Sequence, residues 1–245
     1  MHKLLRAPLL TLLVAVAACS VKERTEPVSP IFLEGAPIEQ AIPELPFQHS
    51  WIDPSVRQKG YRSIFIKPIR TDLIPPDTWK RSRGIAVGSK ETFDNDAAVL
   101  ARYFKIRLSS ELRELEKPRF TVVEAPTNDS IILEIAITEL VLSEPLIRAA
   151  ALAAPLPGVD LALTAISDPH VSFAARFYAP DGKTLIATAA DRRFPPLRII
   201  DLNKLRARSS AREIIAQWAK ELALSIQSDR MSKVERSSSF SILPW

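Results

Sequence analysis

The chain has a single cysteine, Cys19, which stands at the end of an apolar leader. The rest of the chain must therefore build its core without an internal disulfide, even in an oxidising compartment. The leader accounts for the cysteine. Residues 1–18 carry Lys3 and Arg6 and no acidic side chain, after which Leu9, Leu10, Leu12, Leu13, Val14, Ala15 and Val16 run with only Thr11 between them. A positively charged opening followed by a short apolar run is the pattern of an export signal. The run closes on Val16-Ala17-Ala18-Cys19, where small side chains before the cysteine fit a signal-peptidase cleft and the thiol is placed to accept diacylglycerol. Cleavage before Cys19 and lipidation of its thiol are expected. The apolar stretch is shorter than the ~20 residues that span a bilayer. Several acyl chains, at about 0.8 kcal/mol per buried methylene, would hold such a protein far more firmly than one chain. Ser20 follows the cysteine rather than the aspartate that marks inner-membrane retention, so the expected address is the outer membrane, periplasmic face.

Loss of residues 1–18 removes the two positive charges of Lys3 and Arg6 and lowers the formal charge from +5 to +3. The basic residues are spread along the chain with acids among them, which argues against a nucleic-acid partner and leaves anionic headgroups as a permitted contact. With 47% apolar residues the chain can fill one compact core.

Residues 19–50 hold Pro27, Pro30, Pro37, Pro43 and Pro46. Each proline removes a backbone donor and fixes its own dihedral, so this stretch is expected to be a lipidated tether. A domain over residues 51–228 opens at Trp51-Ile52-Asp53-Pro54, and 61–69 reads as its first strand, β-branched and apolar. From Asp94, taken as the cap, to Glu116, Leu100, Tyr103, Phe104, Leu108, Leu112 and Leu115 recur at helical steps, and Pro118 stops the helix. Strands follow at 120–124 and 131–142, the second with Ile131, Leu133, Ile135 and Ile137 on one face. Residues 171–177 and 185–190 alternate on either side of Pro180-Asp181-Gly182-Lys183, a hairpin. Ser210 and Glu213 form a capping box for a closing helix with Ile215, Trp218, Ala219, Leu222 and Ile226, and residues 229–245 read as a mostly flexible tail. The order predicts an α+β fold, a single antiparallel or mixed sheet of about five strands with two helices packed on one face.

The lipobox, the proline-rich tether, Trp51-x-Asp53-Pro54, Tyr103-Phe104, the Asp181-Gly182 hairpin leading into Asp191-Arg192-Arg193 and the closing helix with Trp218 together resemble an uncharacterised family of Gram-negative lipoproteins, a domain of unknown function, over roughly residues 50–228. In element order the chain is also similar to the auxiliary lipoproteins of ABC-type lipid transport systems and to the N-terminal domain of TolB. Likeness of that kind carries no site.

Little in the sequence points to catalysis. The histidines are His2 in the leader, His49 in the tether and His170 at a strand start, too few within the domain for a histidine triad or a multi-histidine metal site. Asp168 near His170 reads as a turn-capping aspartate beside a surface histidine, with a weak dyad as the other reading. The six glycines form no Gly-x-Gly pattern, so no phosphate-cradling loop is visible. Glu111 and Glu114 fall on a solvated helix face. Asp191, Arg192 and Arg193 end a strand, where guanidinium forks would pair with an acidic headgroup or a partner carboxylate. The competing reading is an ion pair pinning the strand end, with the second arginine at the surface. Residues 146–166, apolar but interrupted by Arg148, Pro155, Pro157, Gly158 and Asp160, read as a short helix and turn over the open sheet face, or as a flap touching lipid or a partner or the wall of an acyl-chain cavity, with Arg148 as a further candidate binding residue.

The expectation is a non-catalytic binding or accessory module without cofactor, anchored through Cys19 and meeting an envelope protein or a lipid during envelope assembly or transport. A cell-wall or lipid hydrolase and a structural or stress lipoprotein are the alternatives. An enzyme would need a buried carboxylate of raised pKa in a cleft.

Overall fold

The computed structural model describes residues 30–37, 39–40, 42, 45–82, 89–116, 118–142, 169–195 and 207–227. In chain order its strands are β1 Glu39–Gln40, β2 His49–Ile52, β3 Ser63–Ile66, β4 Thr121–Val123, β5 Ser130–Val141, β6 His170–Tyr178 and β7 Leu185–Arg193. The helices are α1 Thr78–Arg81, α2 Lys90–Glu114 and α3 Ala207–Gln227, with 3-10 turns at Pro30–Leu33 and Pro54–Gln58. The leader, Cys19, residues 143–168 with Arg148 and Asp168, and the tail 229–245 lie outside the described residues.

All seven strands join one mixed sheet in the order β1-β2-β7-β6-β5-β3-β4. β5 is the seam. On one side it pairs in parallel with β3, which pairs in parallel with β4 across the α2 connection. On the other side it pairs antiparallel with β6, and β6–β7–β2–β1 continue antiparallel. This is the expected α+β sheet, with two strands added at one edge. The addition comes from the stretch expected as tether, where β1 and the start of β2 lie and where Phe32, Leu33 and Phe47 are buried. Prolines keep that stretch from a central strand, yet its apolar side chains still gain from burial.

The helices cover one face because their apolar side chains recur at three- and four-residue steps. Leu100, Phe104, Leu108 and Leu112 of α2 and Ile214, Ile215, Trp218 and Leu222 of α3 pack on Leu133, Ile135 and Ile137 of β5 and Phe173 of β6. The Trp218 ring lies 4.7 Å from Phe173 and 6.3 Å from Phe104, so one aromatic cluster joins both helices to the sheet. Among the described residues no helix is long and apolar enough to cross a membrane.

Two helix starts differ from the sequence expectation. Asp94 does not cap α2; the Ser89 hydroxyl accepts from the Thr92 N–H at 3.1 Å, and Asp94 instead pairs with Lys90 one turn back at 2.6 Å. The helix gains its first turn because a serine already satisfies an orphan N–H there. Ser210 and Glu213 lie inside α3, which is already running at Ala207.

The opposite face is closed differently. Ala136, Ala174 and Ala190 form one cross-strand row, and Phe32 and Leu33 lie on this floor of small side chains. The guanidinium carbons of Arg176 and Arg70 stand 4.9 and 5.8 Å from the centre of the Phe32 ring. Burial of two such side chains contributes about 1.5–3 kcal/mol each, as an upper bound.

The β6–β7 turn follows the Asp-Gly signal. Gly182 has φ 67°, and the Asp181 carboxylate accepts from the Lys183 and Thr184 N–H groups, each at 2.9 Å. The Thr184 hydroxyl and these two N–H groups stabilise the anion, holding Asp181 at about 2 against an ordinary 3.8. Because the folded pKa is depressed, this contribution is complete above 3.8 and is lost as pH falls through about 2. Asp181→Asn should flatten that part of the acid unfolding curve, and an NMR titration placing the carboxyl at its ordinary value would contradict the hydrogen bonding. Separately, Ser89→Ala should cost about 1 kcal/mol in urea unfolding; an unchanged midpoint would show that the cap contributes nothing.

Candidate functional site

Strand alternation decides what the Asp191-Arg192-Arg193 run can do. On β7 Ala189 belongs to the helix-side core and Ala190 to the cluster on the other face, so Asp191 and Arg193 point toward the helices and Arg192 points away. All three are buried. The run therefore feeds two polar clusters, one on each side of the sheet.

On the helix side, Arg193 Nε donates to Asp191 Oδ2 at 2.8 Å, and its two terminal nitrogens donate to Glu221 of α3 at 3.1 and 2.6 Å. The same guanidinium donates to the Pro46 carbonyl at 3.3 Å, tying in the chain just before β2. Trp218 Nε1 donates to Asp191 Oδ2 at 2.9 Å, and the guanidinium carbon of Arg193 stands 5.7 Å from the Trp218 ring centre. Burial disfavours the Arg193 cation, but the Asp191 and Glu221 carboxylates outweigh it and hold the group above its ordinary range. A bidentate pair of this kind fixes α3 in both position and rotation.

On the other side, a β-bulge brings an acid to Arg192. The β5–β6 register shifts between Ile137 and Glu139, so Thr138 is an extra residue and Glu139 comes opposite Ser172, which is opposite Arg192. Arg192 Nη2 donates to Glu139 Oε2, Arg192 Nε donates to the Ser172 hydroxyl at 3.2 Å, and that hydroxyl donates to Glu139 Oε2 at 2.8 Å. His170 Nε2 lies 3.6 Å from the same carboxylate oxygen. The histidine is thus buried beside an acid rather than at the surface, and its ring is 5.6 Å from that of Phe194. Ser172 is fully buried, with its proton directed to Glu139 and a lone pair taken by Arg192, an arrangement suited to holding strands together rather than to attack on a substrate. Among the described residues no group of three His, Cys, Asp or Glu side chains converges to hold a metal ion.

The guanidinium forks thus meet the chain's own carboxylates, as in the ion-pair reading of the strand end, but Arg193, which that reading left at the surface, is buried as well. Glu221 and Glu139 were missed as partners, although each left a signal. Glu221 falls three residues after Trp218 and seven after Ile214, on the apolar stripe of α3. Glu139 breaks the alternation that ends at Ile137 and resumes at Leu140 and Leu142, which is the mark of a bulge.

Arg193→Met would leave Asp191 and Glu221 buried without their cation and should cost about 3–5 kcal/mol. Adding Glu221→Gln should recover part of that loss in a double-mutant cycle. A loss below about 1 kcal/mol, the range of an exposed pair, would contradict the assignment.

Two solved structures are similar over most of the chain at low identity. A PelC dodecamer from Paraburkholderia phytofirmans aligns at 15% identity and a TM-score of 0.36, covering 74% of this chain and 96% of that one. A point variant of the same dodecamer in another crystal form aligns at 14% identity and a TM-score of 0.34 over the same shares of each chain. No curated protein matches the chain. The family model described as a protein of unknown function, DUF3313, matches residues 44–222, from just before β2 to the last turns of α3, and the chain belongs to that family.

Proposed function

We propose that this protein is an outer-membrane lipoprotein facing the periplasm, and that its domain serves envelope assembly or transport by binding rather than by catalysis. The observation that carries the reading is the leader: a charged opening, a short apolar run, and Val16-Ala17-Ala18 before the only cysteine. The interior adds support. Asp191, Arg192 and Arg193 are taken up in buried ion pairs that brace the sheet, so the surface is where a partner would bind. At one edge of the sheet β4 is half-buried to exposed and, among the described residues, pairs on one side only; a strand edge of this kind offers main-chain hydrogen bonds to an added strand. Ile106 of α2 is 67% exposed and gives the helical face an apolar contact.

Cys19→Ser should move the protein from the membrane fraction to the soluble one. Mass spectrometry of the wild-type mature chain should find an acylated cysteine at its first position. Wild-type protein with a free Cys19 thiol, or with the leader still attached, would overturn the anchor. Purification of the acylated protein in mild detergent should retain a stoichiometric protein or lipid, and recovery of the protein alone would overturn binding as its role.

A further inference from the structure

We propose that Pro30–Pro37 is a detachable strap, docked by Phe32 and Leu33 on the second face of the sheet, which sets how far the domain stands from its anchor. The inference rests on the reading of Cys19 as the anchored residue.

The strap is attached as a separate module. Its described contacts with the sheet run through side chains: Phe32 and Leu33 on Ala136, Ala174 and Ala190, Arg176 Nη2 donating to the Glu34 carbonyl at 3.2 Å, and the Thr188 hydroxyl donating to the Pro37 carbonyl at 3.1 Å. Pro30–Leu33 is a 3-10 turn whose main-chain bonds are its own, and beyond it the Ala36 N–H donates to the Leu33 carbonyl at 2.9 Å, again within the segment. The main-chain ladder to the rest of the sheet begins only at β1, where Glu39 pairs with Ser50. The family match begins later still, at residue 44, so the strap lies outside the matched region. Phe32 and Leu33 also form a small cluster with the alanine row, separate from the main core that α2 and α3 close. Release of the strap therefore leaves the main core intact, as local openings of low contact density do.

Release changes the reach. Docked, the strap fixes the chain at Pro30, eleven residues after Cys19, a span that cannot exceed about 40 Å at full extension. Released, the nearest described residue held by the sheet is Glu39, twenty residues after Cys19, and the limit rises to about 70 Å. The docked backbone turns at Gly35, which has φ +76° with nothing within 4 Å of where a Cβ would stand. A side chain there meets no atom and strains only the docked backbone.

The test uses the full chain, expressed so that it is processed and acylated, then reconstituted in phosphatidylethanolamine–phosphatidylglycerol vesicles that carry an acceptor dye on the headgroups. The donor is attached at Lys183→Cys on the exposed β6–β7 turn. Phe32→Ala removes the docked ring, whereas Gly35→Ala keeps every contact and strains the turn. In both, hydrogen exchange over 32–37 should lose about tenfold or more of its protection while β5 and β6 keep theirs, and energy transfer from the domain to the membrane should fall. Acylated protein in which both variants keep wild-type transfer would overturn the strap alone. A chain that is not acylated would overturn the anchor and the strap with it, and loss of protection throughout the sheet would show that these residues belong to the global core.

Discussion

The fold depends on a cation placed where water does not reach. Arg193 stands at the end of β7 with Asp191 on its own strand, Glu221 on α3 and the Pro46 carbonyl before β2, so one guanidinium joins the last helix, the central strands and the entering chain. An arginine buried without these partners would be costly. The cost is offset only when all of them are in place, which makes this end of the molecule cooperative. Trp218 shares the arrangement, with its indole N–H on Asp191 and its ring against Phe173 and Phe104. Polar and apolar packing thus specify the same rotation of α3, and neither can shift without the other.

On the other face the same design recurs with different parts. Glu139, Ser172 and Arg192 form one cross-strand row at the β5–β6–β7 end of the sheet, and Ala136, Ala174 and Ala190 form another nearer the middle. The polar row is satisfied internally, while the alanine row is low and flat and takes an aromatic ring from the chain's own N-terminal stretch. A sheet that presents helices on one side and small residues on the other can be covered on its second side by a short segment rather than another layer.

Much of this was legible in the sequence, because it rested on periodicity. The steps of Leu100, Phe104, Leu108 and Leu112, the alternation of Ile131 to Ile137 and the Asp181-Gly182 pair each identify an element without reference to the rest of the chain. What was not legible depended on distant partners. Parallel pairing of β3 with β5 joins Ser63 to Ser130 across the whole of α2, and no local pattern encodes it. The capacity of residues 30–50 to add β1 and the start of β2 was hidden by prolines, whose effect on donors is local while the burial of Phe32 and Phe47 is not. The destination of Arg192 and Arg193 was half legible: period two separates adjacent residues to opposite faces, but which acids wait there is a matter of tertiary structure.

The bulge at Thr138 has a further consequence for what the chain can lose. Ile131 to Ile137 face the helices at odd positions, whereas Leu140 and Leu142 face them at even ones, and the extra residue brings the two series into phase. Had the strand stayed regular through Thr138, Glu139 would enter the apolar core and Leu140 would leave it. Removing Thr138 itself would instead turn β5 into an unbroken strand with Ile137 and Glu139 each on its present side. Elsewhere in β5 the chain can exchange one residue for another, but a deletion would invert the faces of its neighbours, so the length of this strand is as much a part of the fold's specification as its composition.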